Sequence, residues 1–379
     1  MVGGGQTAFI GGIHRIAARM DGLYEIVCGA FSSNPEISTA TGEALGLDNK
    51  RVYPTYQAMF EQEKLLPPDE RMQVVSIVTP NHLHFEPAKL AMENGFHVIL
   101  DKPITFTLAE ALQLKAIIHQ TGALFCLTHT YTGYPMVKEA RHQILSGNLG
   151  TIRKVMVEYP QGWLSTFLEG SNQKQATWRT DPARSGIAGC MGDIGTHAFN
   201  LAEYVTGLEV TKVCAALHRV VDGRLLDDDG AVLLQFNNGA TGILVATQVA
   251  AGEENNVRIR VYGETGGIEW QQEDANTLQV KWLDAPKQIY RAGTGYLGSF
   301  ASHNCRTPSG HPEGYLEAFA NIYRNFGLTV LSRLAGTEAA PEWRDFPGVE
   351  EGIRGMAFVE TVVKGSQSEQ KWLDFNTNI

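Results

Sequence analysis

Short apolar runs rich in β-branched residues recur through the first third of the chain, and helical stretches separate them. Val74-Val75-Ser76-Ile77-Val78, Val98-Ile99-Leu100 and Leu124 to Thr128 are the clearest runs. Between them lie Phe85 to Asn94, closed by Gly95, and Leu108 to Gln120, followed by Gly122. A brief apolar run bounded by turn residues reads as a strand buried on both faces. Strands alternating with helices of this length are joined by right-handed crossovers and form a doubly wound parallel sheet. The first 130 residues are therefore expected to be an α/β domain of Rossmann type.

In such a sheet, ligands sit outside the carboxyl ends of the strands. Gly3, Gly5 and Ala8 fit the pattern G-x-G-x-x-G/A, with Gln6 and Thr7 in the turn and an amphipathic helix over Phe9 to Met20. One glycine makes the tight turn and the next admits a pyrophosphate. A small third residue lets helix and strand pack closely, and the helix N-terminus receives the phosphates. Only Met1-Val2 precede this fingerprint, so the first strand is expected to be a stub, its usual start upstream or missing. Tyr24 to Ser32 reads as a second strand, and Asn34-Pro35 as a helix start. At the ribose position stand Ser32 and Ser33, neither acidic nor basic. The missing arginine favours NAD and leaves NADP open. Thr79-Pro80-Asn81-His82-Leu83-His84 follows one strand, where the nicotinamide half of a dinucleotide would run. Asp101-Lys102-Pro103 follows the next, and places a lysine for proton or hydrogen-bond work on a ligand.

With 379 residues the chain calls for two domains, expected over 1–130 and 131–379. A net charge of -10 without a basic run argues against nucleic acid and anionic membrane as partners. No apolar stretch approaches a membrane span, and the glycine-rich start does not read as a secretory leader. Five scattered cysteines without a C-x-x-C pair favour free thiols, a reducing cytoplasm and no structural metal. Past Tyr131 the pattern changes. A helix (Pro135 to Ser146) and a strand (Ile152 to Tyr159) lead to Gly192-Asp193-Ile194-Gly195-Thr196-His197, which opens a helix ending at Gly207. Asp193 and His197, four apart on one helix turn, would share a face, where a carboxylate can fix an imidazole as a general base. Six further runs of strand character between Val210 and Leu283 predict a large, open, mostly antiparallel sheet in an α+β domain. Asp227-Asp228-Asp229 reads as a solvated turn.

The fingerprint, Thr79-Pro80-Asn81-His82-x-His84, Asp101-Lys102-Pro103 and Gly192-Asp193-x-Gly195-x-His197 occur in that order. Together they resemble the glucose–fructose oxidoreductase, inositol dehydrogenase and rhizopine-catabolism family (Gfo/Idh/MocA) over essentially the whole chain. The resemblance implies an NAD-dependent dehydrogenase of a secondary hydroxyl on an inositol or sugar. Lys102, Asp193 and His197 would form the catalytic triad, with Asp101 standing where glutamate is commoner. A homodimer or homotetramer is implied as well. The substrate pocket is expected to draw on His129, Tyr131, Trp163, Arg179 and His311, polar and aromatic groups that suit an uncharged polyhydroxylated ring. Two other readings use the same fold: a glycoside hydrolase that keeps NAD bound and oxidises transiently, and a non-catalytic dinucleotide sensor. A sensor has no need of the triad.

Overall fold

The alternating pattern of the first third produces the parallel sheet expected of it. The computed structural model describes residues 1–6, 8–171 and 173–377. Two compact units are formed, 1–130 with 319–353 and 131–318 with 354–379. Residues 319–353 thus group with the first unit, and the second does not run unbroken from 131.

The chain begins β1 (Val2–Gly3), α1 (Phe9–Met20), α2 (Pro35–Ala44), α3 (Tyr56–Glu63), β2 (Val74–Val78), α4 (Phe85–Glu93), β3 (His97–Leu100), α5 (Leu108–Thr121) and β4 (Phe125–Leu127). The four strands pair in parallel in the order β1-β2-β3-β4. Helix ends carry the chemistry that their sequence dictates. Asn34 accepts from the amides of Glu36 and Ile37, and Thr107 and Glu110 form a reciprocal capping box on α5. Gly122 closes α5 in the left-handed conformation. The strand expected over Tyr24 to Ser32 does not form. Gly29 and Ala30 make isolated parallel bridges to Val52 and Val2 instead. A two-residue β1 offers too little edge for a ladder, so the contact is confined to a few bonds around Met1 and Ala30.

There follow α6 (Pro135–Leu145), β5 (Lys154–Pro160), α7 (Lys174–Arg179), α8 (Pro182–Ser185) and α9 (Thr196–Thr206). Next come β6 (Val210–His218), β7 (Asp229–Phe236), β8 (Thr241–Thr247), β9 (Arg258–Tyr262), β10 (Gly266–Gln271), β11 (Thr277–Trp282) and β12 (Gln288–Arg291). The chain closes with α10 (Ser299–His303), α11 (Tyr315–Leu334), α12 (Val349–Ser366) and β13 (Leu373–Asp374). The second unit holds a nine-stranded sheet in the order β12-β11-β10-β9-β5-β8-β7-β6-β13. All its neighbours are antiparallel except β5 and β8, which run parallel with Pro160 opposite Thr247. Residues alternate buried and less buried along β5, β7 and β8. The buried set packs under α6 and α9, with Val157, Leu244 and Ile259 meeting Val137 and Leu201 in one core. Asp227 and Asp228 are buried rather than solvated, because neighbouring backbone amides and Arg224 satisfy their carboxylates.

Candidate active site

Gly3 and Gly4 both take positive φ, +79° and +73°, which a side chain at either position would strain. The close approach of helix to turn falls at Gly11, where a Cβ would lie 2.4 Å from Gly4 Cα. Ala8, expected to fill that role, instead closes the turn by donating its N–H to Gly5 O at 2.8 Å. Ala8 also stands at the start of α1 with no side-chain cap. Among the described residues, no side chain caps the first N–H groups of α1, as a phosphate-binding helix requires. Gly5 is buried, and a Cβ on it would meet Ile37 at 3.0 Å. Gln6 reaches Ala40 O at 3.0 Å. Ser32 Oγ accepts from the Asn34 amide, and Ser33 is exposed. Thr7 lies outside the described residues. The tight glycine turn and uncapped helix fit a dinucleotide.

The two loops at the carboxyl ends of β2 and β3 meet through His84. This residue is fully buried, with Nδ1 2.7 Å from Pro103 O and Nε2 2.8 Å from Thr79 O. Burial pushes the imidazole below its ordinary value, against the pull of Asp101 and the two carbonyls. His84 therefore serves the loops themselves, while Pro80 is exposed and Asn81 half-buried beside them. Asp101 Oδ1 accepts from the Lys102 amide and from Thr128 Oγ1, each at 2.9 Å. It also lies 3.8 Å from His14 Nε2, an ion-pair rather than a hydrogen-bond distance. Burial works against its charge, but His14, Lys102 and His84 hold the carboxyl well below the usual carboxylate range. Lys102 is half-buried and is joined to Pro103 by a cis peptide. His129 is buried and pushed down to about 3, first by burial and then by the Lys102 charge.

In the second unit a single π-turn, Met191–Gly195, leads into α9 and carries Asp193. Asp193 Oδ2 lies 3.3 Å from Arg179 Nε and accepts from Gln248 Nε2 at 3.0 Å. Arg179 also stacks on Trp178, 4.3 Å from its ring centre. His197, 8% exposed, meets the Tyr131 ring edge-on at 5.0 Å and the Tyr159 ring at 6.4 Å. The two tyrosine hydroxyls bond to each other, and Tyr159 Oη donates to Asn255 Oδ1 at 2.7 Å. Burial pushes Tyr131 up to about 12 and Tyr159 well above its ordinary value, so both phenols stay protonated at neutral pH. Trp163 Nε1 donates to Gln161 Oε1 at 3.0 Å, which Gln248 Nε2 also reaches at 3.2 Å.

Tyr131, Trp163 and Arg179 are thus drawn into the contact network of Asp193 and His197. His311 sits elsewhere, on an exposed turn with its ring against Pro308 O. The amide wall of Gln161, Gln248 and Asn255 escaped sequence reasoning. Its signal was the parallel pairing of β5 with β8, which sets Gln161 and Gln248 side by side just past two strand ends. Strands read as consecutive hairpins give no reason to place them together.

Residues 1–129 match the family model of the oxidoreductase family with an NAD-binding Rossmann fold, and residues 137–269 match the GFO/IDH/MocA C-terminal domain. The chain is 33% identical to the uncharacterized oxidoreductase YfiI of Bacillus subtilis, covering 99% of this chain and 96% of that one. It superposes with a TM-score of 0.93 on an inositol dehydrogenase homolog from Azotobacter vinelandii complexed with NAD+, at 34% identity over 99% and 96% of the two chains. A levoglucosan dehydrogenase of Pseudarthrobacter phenanthrenivorans is 28% identical over 70% of each chain. An NAD-binding Rossmann unit and a second unit with a mostly antiparallel sheet make the chain a member of the GFO/IDH/MocA family of NAD-dependent oxidoreductases.

Proposed function

We propose that the protein oxidises a secondary hydroxyl of an uncharged cyclic polyol or sugar, an inositol or an anhydrosugar of the levoglucosan kind, using NAD. The observation that carries the substrate class is the commitment of Arg179. Its guanidinium balances Asp193 at 3.3 Å and stacks on Trp178, while the neighbouring polar groups are the amides of Gln161, Gln248 and Asn255 and the hydroxyl of Tyr159. Neutral donors and acceptors beside aromatic rings suit hydroxyl groups; a phosphate or carboxylate calls for an uncommitted cation. The relatives named for inositol and levoglucosan support the same class.

In this reading NAD, when bound, supplies the hydride acceptor. Lys102 donates a hydrogen bond to the reacting hydroxyl oxygen, and His197 takes its proton. Asp193 holds the imidazole in the tautomer that can do so. Gly3, Gly5, Gln6, Ala8 and the Thr79-Pro80-Asn81 loop hold the dinucleotide, with Ser32 and Ser33 at the adenosine ribose. The protein works in the cytoplasm as a homodimer or homotetramer, which light scattering would test.

The deciding experiment follows absorbance at the NADH band with NAD, then NADP, against inositols, levoglucosan, free aldoses and glucose 6-phosphate. Turnover with NAD on an uncharged ring is expected. Turnover on the phosphate ester alone would overturn the substrate class. Cleavage of a chromogenic glycoside without net NADH would overturn the dehydrogenase itself.

A further inference from the structure

Asp227 does something that neither the fingerprint nor the triad calls for. Three consecutive backbone N–H groups end on this one residue. Its Oδ1 accepts from the Gly189 amide and its Oδ2 from the Met191 amide, both at 2.7 Å, and its own carbonyl accepts from the Cys190 amide at 2.8 Å. Gly189 and Cys190 lead directly into the π-turn that starts at Met191 and carries Asp193, and the Asp193 amide bonds back to Gly189 O at 2.9 Å. The fit leaves no slack, since a Cβ on Gly189 would lie 2.3 Å from Asp227 O.

The other side of the contact is fixed too. Asp228 accepts from the amides of Val220 and Val221 and from Arg224, and its carbonyl accepts from the Gln248 amide at 2.9 Å. The Gln248 side chain then reaches Asp193 Oδ2. Asp193 is held both through its backbone, from Asp227, and through its carboxylate, from the residue that Asp228 anchors. A buried carboxylate gains little as a bare charge and much when two amides share it. Its bonds here fall on the entry to α9, where N–H groups lack helical partners.

We propose that Asp227 is a positioning residue for Asp193 and His197, a backbone clamp that sets where the π-turn presents them. The proposal rests on the reading of those two residues as the acid–base pair. Asp227→Asn keeps the shape but turns an amide NH2 toward a backbone N–H, so one of the two bonds becomes a repulsion. The expected result is a kcat lowered about 100-fold with the KM for NAD within about twofold, the signature of a small displacement of reacting groups. The His197 ring resonances should shift in the same variant with no substrate present. In the unmodified protein, the amides of Gly189 and Met191 should exchange with deuterium at least about 100-fold more slowly than open loop amides. Unchanged kcat, or a parallel rise in the KM for NAD, would overturn the clamp. If Asp227→Asn does not fold, the exchange measurement decides: protection supports the clamp, and loop-like exchange removes it. The ring resonances and the exchange need no substrate. A protein that oxidises no polyol would sink the dehydrogenase reading while these two still judge the clamp.

Discussion

The loops of the two units are held by opposite chemistry. In the first unit a buried imidazole, His84, joins the loops after β2 and β3 by meeting two backbone carbonyls. In the second, the carboxylate of Asp227 holds the segment before α9 by accepting from two backbone amides. The difference follows from which backbone groups each place leaves orphaned. Where parallel strands end, carbonyls such as that of Thr79 run out of ladder partners, and a side chain that donates must meet them. Where a helix begins, N–H groups run out of partners, and a side chain that accepts must meet them. The residue type at a clamp is thus set by backbone polarity, and a clamp can be recognised by what it faces.

Removing what the clamped first-unit loop presents has the largest expected effect. Lys102→Ala should lower kcat by about 10³-fold or more while NAD binding, followed by fluorescence titration, changes little. Equal loss of NAD affinity would mean that Lys102 serves the cofactor alone. Removing the first-unit clamp comes next. His84→Ala takes the imidazole away from two buried carbonyls, one of which it can donate to, and leaves a cavity beside them, so unfolding in urea should show a loss of about 2–5 kcal/mol. His84→Gln keeps one donor and should recover part of that loss. A loss under about 0.5 kcal/mol, the level of an ordinary surface change, would remove His84 from this role. Smaller again is Gln248→Leu, which at nearly constant volume deletes the hydrogen bond to the Asp193 carboxylate together with the longer one to Gln161. An expected fall of about tenfold in kcat, read by steady-state kinetics, matches one charge-assisted bond.

The first unit was legible in the sequence because its strands and helices are local, each stating its own period. Asn34, Thr107, Glu110 and Gly122 act at the helix ends where their chemistry suits them. The Tyr24 to Ser32 strand failed because its existence depends on a partner, β1, that supplies only two residues. The candidate site was legible where a motif is contiguous, as in Asp101-Lys102-Pro103, and illegible where it is made by pairing. Gln248 stands 87 residues from Gln161, and only the parallel register of β5 with β8 unites them. Asp227 is hidden for a related reason. Three consecutive acids look solvated until the chain brings amides and Arg224 to meet them.

The smallest expected effect separates the halves by pH. His129 lies at the end of the first unit, buried beside the Lys102 charge, and its value falls from 6.5 to about 3. Between those values the unfolded chain binds a proton at this residue and the folded chain does not. Stability from His129 is therefore present above pH 6.5 and is lost progressively as pH falls toward 3. His129→Gln removes the titration, so the native protein should lose about 1 kcal/mol relative to the variant between pH 7 and about pH 5.5. Urea unfolding at the two pH values measures this difference directly, and any constant cost of the substitution cancels. The Asp193 and His197 segment rests on a carboxylate and amides, so Gln248→Leu should leave the same pH difference untouched. Parallel curves for the native protein and His129→Gln would show that His129 is solvated and that the Lys102 loop is not the dry environment its burial describes.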